Sequence, residues 1–143
     1  MWLLLTYKVP HEPSARRVYV WRKLKSMGAL LIHDSVWVLP ANERTQEKLQ
    51  WLVGEIYEID KGEALLWRAD LLFLGQDVDL PARFIAQVDE QYQSILGALS
   101  DEGADLAALS RQYQQASQQD YFQSQLGMRV RAALIERRGG DEP

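Results

Sequence analysis

The stretch WLLLTYKVPHEPSARRVYVWRKLKSMGALLIHDSVWVLP, residues 2–40, decides the fold. Its first seven residues are apolar and β-compatible, which predicts a buried strand ending at Lys8. Val9-Pro10 and Pro13 terminate it. Ser14 is the expected N-cap of a helix to about Met27, because its hydroxyl can accept from free first-turn amides. Gly28 is the expected stop. Val20, Leu24 and Met27 share one helical stripe, with Val18 and Trp21 beside it. Ala29 to His33 and Val36 to Leu39 read as two strands of a hairpin, with Asp34-Ser35 as its turn and Pro40 closing it.

Outward from this stretch, Asn42 is the expected cap of a second helix to about Asp60, and Gly62 its stop. Leu49, Leu52, Val53, Ile56 and Ile59 recur at helical spacing. Ala64 to Ala69 read as a fourth strand, continued from Leu71 to Leu74. The order βαββαβ defines a ferredoxin-like α+β class: a four-stranded antiparallel sheet with two helices on one face. Past Gly75 the pattern turns helical. Asp79 is the expected cap of a helix to about Leu99 that keeps Phe84, Ile85, Val88, Tyr92, Ile95, Leu96 and Leu99 on one side. Asp105 opens a further helix, and a last one runs from about Ser124 to Arg138. This divides the chain into a core at 1–75, a helical extension packed on it at 76–138, and a disordered tail at 139–143.

Composition narrows the chemistry. With 47% hydrophobic and 25% charged residues in 143, the chain has the make-up of an ordinary globular domain. Absence of cysteine excludes disulfides, thiolate metal sites and thiol redox sensing. Two histidines, His11 and His33, are too few for a histidine-rich metal site. The start lacks the pattern of a signal peptide and no stretch approaches a membrane span, so a cytoplasmic location without membrane contact is expected.

Charge is placed unevenly. Residues 1–25 carry Lys8, Arg16, Arg17, Arg22, Lys23 and Lys25 against Glu12 alone, a balance of +5. Residues 26–128 have a balance of −10. Arg129, Arg131, Arg137 and Arg138 follow near the C-terminus. Such asymmetry bears on anionic partners more than the net charge of −4 does.

Residues 2–40, GEALLW at 62–67, and DYF at 120–122 with the basic amphipathic helix after it resemble the N-terminal domain of the chromate-resistance regulator family (ChrB). That resemblance implies a ferredoxin-like domain with a helical extension, a role in regulating chromate-resistance operons, and chromate as inducer. Longer family members continue into a second, C-terminal domain, and the resemblance here is expected to cover the first domain alone. The same core is similar to the effector part of phenylacetate-degradation repressors and to small CRISPR-associated nucleases, a fold-level analogy only. Those nucleases hold a metal with an aspartate at the end of the first strand, where this chain has Thr6, Tyr7 and Lys8. Two-metal chemistry therefore lacks its carboxylate.

Three readings of the first basic cluster stay open. Arg16 and Lys23 lie seven residues apart on one helix face with Arg22 and Lys25 near it, which suits a phosphate backbone. Lys8 could meet the start of that helix, where guanidinium groups and N-terminal amides suit an oxyanion such as chromate. The third reading is a solvated face. For Arg129, Arg131, Arg137 and Arg138, a secondary patch competes with ordinary complementation of a helix C-terminus. His33-Asp34 reads as a turn and His11 as a loop residue. Strand alternation sends Trp37 and Trp67 to the core or a dimer face, with base stacking as the competing role.

The expectation is thus a non-enzymatic, chromate-responsive transcriptional regulator or its N-terminal domain. It would be homodimeric, contact DNA, and need no cofactor beyond chromate as effector. The alternative is a dimerisation or protein-interaction module without DNA contact. A metal-dependent nuclease or oxidoreductase ranks last, since no thiol or cofactor motif is available to deliver electrons.

Overall fold

A computed structural model describes residues 1–33, 36–73 and 76–139, without the side chains of 76–78. The chain forms two compact units, Met1–Asp77 and Val78–Pro143.

In the first unit β1 (Trp2–Lys8), α1 (Ser14–Ser26), β2 (Leu30–Ile32), β3 (Val36–Pro40), α2 (Glu43–Glu58) and β4 (Glu63–Ala69) follow in order. The sheet order is β2-β3-β1-β4, with every neighbouring pair antiparallel. This is the ferredoxin-like arrangement. β1 lies centrally, pairing Leu5 with Trp37 of β3 and with Leu66 of β4. Pleating sends Leu3 and Leu5 to one side with Trp37, Leu39 and Ala64, all buried. Val20 and Leu24 of α1 and Leu49, Leu52 and Ile56 of α2 complete the unit's buried set. The other face of the sheet carries Leu4, Leu65 and Trp67, the last two about half exposed. Trp37 is therefore a core residue, and Trp67 faces the opposite way. Its indole N–H donates to Thr6 Oγ1 at 3.0 Å.

Local chemistry explains the helix ends. α1 closes in a Schellman motif: Gly28 has φ 77°, its N–H reaches Lys25 O at 3.0 Å, and Ala29 N–H reaches Leu24 O at 3.1 Å. Asn42 caps α2 in a capping box, accepting from Thr45 N–H at 2.8 Å while its own N–H donates to Thr45 Oγ1.

Three expectations here are corrected. Ser14 is the first helical residue and not the cap; Pro13 holds the cap position and makes no side-chain bond there. At the end of α2 the left-handed residue is Lys61, φ 63°, and not Gly62. Gly62 is required for space instead, since a Cβ there would lie 2.1 Å from the Ile56 carbonyl oxygen. The fourth strand ends at Ala69, and residues 71–73 do not extend it. The Asp34-Ser35 turn, Leu74 and residues 140–143 lie outside the described residues.

The second unit holds α3 (Gln76–Leu99), α4 (Leu106–Gln118) and α5 (Gln125–Arg137). Its core joins Val88, Tyr92, Ile95 and Leu99 of α3, Leu109 and Ala116 of α4, and Leu126, Val130 and Leu134 of α5. Asp105 and Ser124 cap α4 and α5 by accepting from Ala108 and Gly127 N–H. Asp79 does not cap α3, which begins three residues earlier. Pro81 lies inside α3, past the free first-turn amides, so the helix forgoes one backbone hydrogen bond there.

The DYF segment clamps the three helices together. Asp120 accepts from Tyr92 Oη at 2.9 Å and from Ser124 N–H at 3.0 Å. Tyr121 and Phe122 stand 6.1 and 5.7 Å from the Phe84 ring, centroid to centroid. Ser124 Oγ donates to Asp89. Gly127 passes against the Tyr92 ring, where a Cβ would come within 2.7 Å.

Candidate functional site

α1 carries Arg16, Arg17, Arg22, Lys23 and Lys25 and no acid. All five are exposed, and among the described residues none makes a salt bridge. At 100° per residue the buried stripe of Val20, Leu24 and Met27 splits them into two flanks. Arg16, Tyr19 and Lys23 face α2: Tyr19 Oη donates to Glu55, and Lys23 shares a groove with Lys48, Trp51 and Glu55. That bond is the main reason why the Tyr19 phenol titrates above its ordinary value. Burial, and then the Arg44 charge, draws the Lys48 ammonium below its own. Lys23 Nζ stands 5.7 Å from the Tyr19 ring centroid.

Arg17, Trp21 and Lys25, four apart in sequence, form the other flank. Lys25 Nζ lies 5.9 Å from the Trp21 ring centroid. Arg22 crowns the helix between the flanks. The six-residue cluster read from the sequence is therefore not a single face. Lys8 lines one cavity with Ser14 and Arg17 at the start of α1, and not with the Arg16–Lys23 row.

The meeting point is a cavity of about 560 Å³ lined by Tyr7, Lys8, Val9, His11, Ser14, Arg17, Val18, Trp21 and Trp37. No carboxylate lines it. Every charged group present is a cation, and the remaining polar groups can donate. Burial pushes the Tyr7 phenol above its ordinary value; a hydrogen bond from Trp37 and the Arg17 charge oppose that shift without reversing it. Tyr7 thus keeps its proton at neutral pH. His11, read from sequence as a loop residue, joins this lining. Tyr7 was not singled out as ligand-facing, although strand parity places it with Trp37, weighed above for base stacking, on the α1 side of the sheet. His33 is an exposed turn residue with φ 53°.

The second basic cluster has separate duties. Arg137 donates to the carbonyls of Leu99 and, at 3.3 Å, Asp101, where α3 ends. Arg138 donates to Ser110 Oγ at 3.1 Å. These two tie helices within their own unit. Arg129 and Arg131 are exposed on different sides of α5.

Chemically, a donor-rich cavity without acids in its lining, beside a helix bearing only cations on a ferredoxin-like core, is suited to anions. The chain matches the family described as "Protein ChrB, N-terminal" over residues 17–112, and it belongs to that family. The family is regulatory and not catalytic. Among the described residues no group of three or more His, Asp or Glu is placed to hold a metal ion, and no helix is long and apolar enough to cross a membrane. The matched span contains Arg17, Arg22, Lys23 and Lys25 and leaves out β1 and the DYF segment. No curated protein and no solved structure gives a significant match.

Proposed function

We propose that this chain is the DNA-contacting domain of a cytoplasmic, chromate-responsive transcriptional regulator, with α1 laid along the phosphate backbone. The observation that carries the reading is α1 itself: five exposed cations, no acid, and no salt bridge among the described residues. Each cation that neutralises a phosphate releases counterions, so affinity falls steeply with salt. Family membership supplies the chromate-resistance setting.

The test is fluorescence anisotropy with DNA from upstream of the gene, titrated at several salt concentrations, with chromate or sulfate added. Replacing Arg16, Arg22 and Lys23 by alanine should weaken binding and flatten the slope of log K against log salt by about 2.7, at roughly 0.9 per lost phosphate contact. Release by chromate and not by sulfate is the expected effector response. An unchanged slope in the triple variant would remove α1 from the interface.

A second reading, homodimerisation, is favoured by β4. It is an edge strand whose Leu65 and Trp67 are 56% and 50% exposed. Light scattering should give a dimer mass that Trp67→Lys reduces to that of a monomer. A monomer at high concentration of the unaltered chain would reject this reading.

A further inference from the structure

We propose that the cavity between the end of β1 and the inner flank of α1 binds a phosphate monoester carried on a flat aromatic ring, the chemistry of a mononucleotide. The inference rests on the cavity; it shares Arg17 with the DNA reading, whose test variants at Arg16, Arg22 and Lys23 lie outside the cavity lining.

Charge is the first ground. Lys8 and Arg17 are the charged lining groups, His11 adds an imidazole, and no acid lines the cavity. Tyr7, held in its protonated form, and Ser14 add hydroxyl donors. Two fixed cations favour a dianionic phosphate over a neutral ligand, and a guanidinium offers the paired donors that phosphate oxygens accept.

Size is the second ground. About 560 Å³ lies within the roughly 300–1,000 Å³ of sites for small organic ligands and exceeds what a bare tetrahedral oxyanion requires. The third ground is the wall. Beyond the cations, the lining is Tyr7, Trp21 and Trp37 with Val9 and Val18. Trp37 is fixed in the core at 4% exposure, whereas Trp21 stays 49% exposed on the cavity flank. Aromatic walls beside paired cations suit a base and its phosphate, since every base offers a face for stacking.

The test is calorimetric titration of the full chain with AMP, adenosine and inorganic phosphate, followed in parallel by the five tryptophan indole N–H signals in NMR. AMP should bind saturably and shift the Trp21 and Trp37 indole signals. Adenosine lacks the phosphate and inorganic phosphate lacks the ring, so each should bind at least about tenfold more weakly, the scale of one lost stacking or charged contact. Arg17→Met and Trp21→Ala change exposed side chains and should each weaken AMP about tenfold with the circular dichroism spectrum unchanged. Lys8→Met serves as a second cation variant should Arg17→Met alter folding. Trp51→Ala, on the exposed side of α2, should leave AMP binding intact. Three results would overturn the proposal: no saturable heat or indole shift with AMP, phosphate binding as tightly as AMP, or Trp51→Ala weakening AMP as much as Trp21→Ala. Loss of DNA binding in the α1 variants would leave these outcomes untouched.

Discussion

Asp120→Ala should be among the most damaging single changes in the helical unit. The carboxylate accepts from Tyr92 Oη at 2.9 Å and from Ser124 N–H at 3.0 and 3.1 Å. Tyr92 is 1% exposed and Ser124 2% exposed, so neither donor has water to turn to. A buried donor left without an acceptor costs roughly 1–3 kcal/mol, which puts the double loss at about 2–6 kcal/mol. Tyr92→Phe is the informative partner, because it removes a donor together with its requirement. The half-buried Asp120 keeps the Ser124 amide, and the cost should be roughly 1 kcal/mol. Urea unfolding followed by circular dichroism at 222 nm reads the helices. Tryptophan emission gives a separate report, since all five tryptophans lie within the first 67 residues. Asp120→Ala costing less than about 1 kcal/mol, or no more than Tyr92→Phe, would refute the clamp.

Further outcomes follow from the same geometry. Gly127→Ala should destabilise the helical unit by about 1–3 kcal/mol, because the new methyl meets the Tyr92 ring at 2.7 Å and that ring is held by Asp120; thermal melts measure it. Arg137→Ala should lower stability by about 1–2 kcal/mol through its lost bonds to the Leu99 and Asp101 carbonyls, while Arg129→Ala should be neutral in the same urea assay. Burial, with the nearby Asp120 carboxylate second, raises the Tyr92 phenol far above its ordinary value near 10. Its proton is therefore held more tightly folded than unfolded. The resulting stability is complete below pH 10 and declines as pH climbs from there toward the raised folded value. Alkaline unfolding compared with Tyr92→Phe should show a shallower decline in the variant.

What the sequence disclosed was local chemistry. Gly28, Asn42 and Asp105 each act within a turn of themselves, and the helix ends they mark were readable because the bonds are local; Ser124, read only as a helix start, proves to be a cap. Ser14 and Asp79 misled for the same local reason reversed: either polar residue reads equally well as a cap or as a first-turn residue, and Pro13 takes the cap position of α1. The βαββαβ order followed from periodicity. The candidate site was harder to see. A row of basic letters suggested one face, whereas the buried stripe of Val20, Leu24 and Met27 parts that row into two flanks. Lys8 and Arg17 meet only because β1 runs beside α1, and Tyr7 and Trp37 join them through sheet register. Arg137 was not legible as a helix tie, because its acceptors lie 36 and 38 residues away.

The central place of β1 also shapes how the chain matures during synthesis. β1 is the strand both halves of the sheet need, yet it is made before either partner: Leu5 awaits Trp37 and Trp2 awaits Ala69. Until residue 69 has emerged, an apolar strand keeps an unpaired edge, in the state most open to wrong association. Slowing translation between the codons for residues 8 and 69 should therefore lower soluble yield more than slowing it within the helical unit, whose partners are closer in sequence.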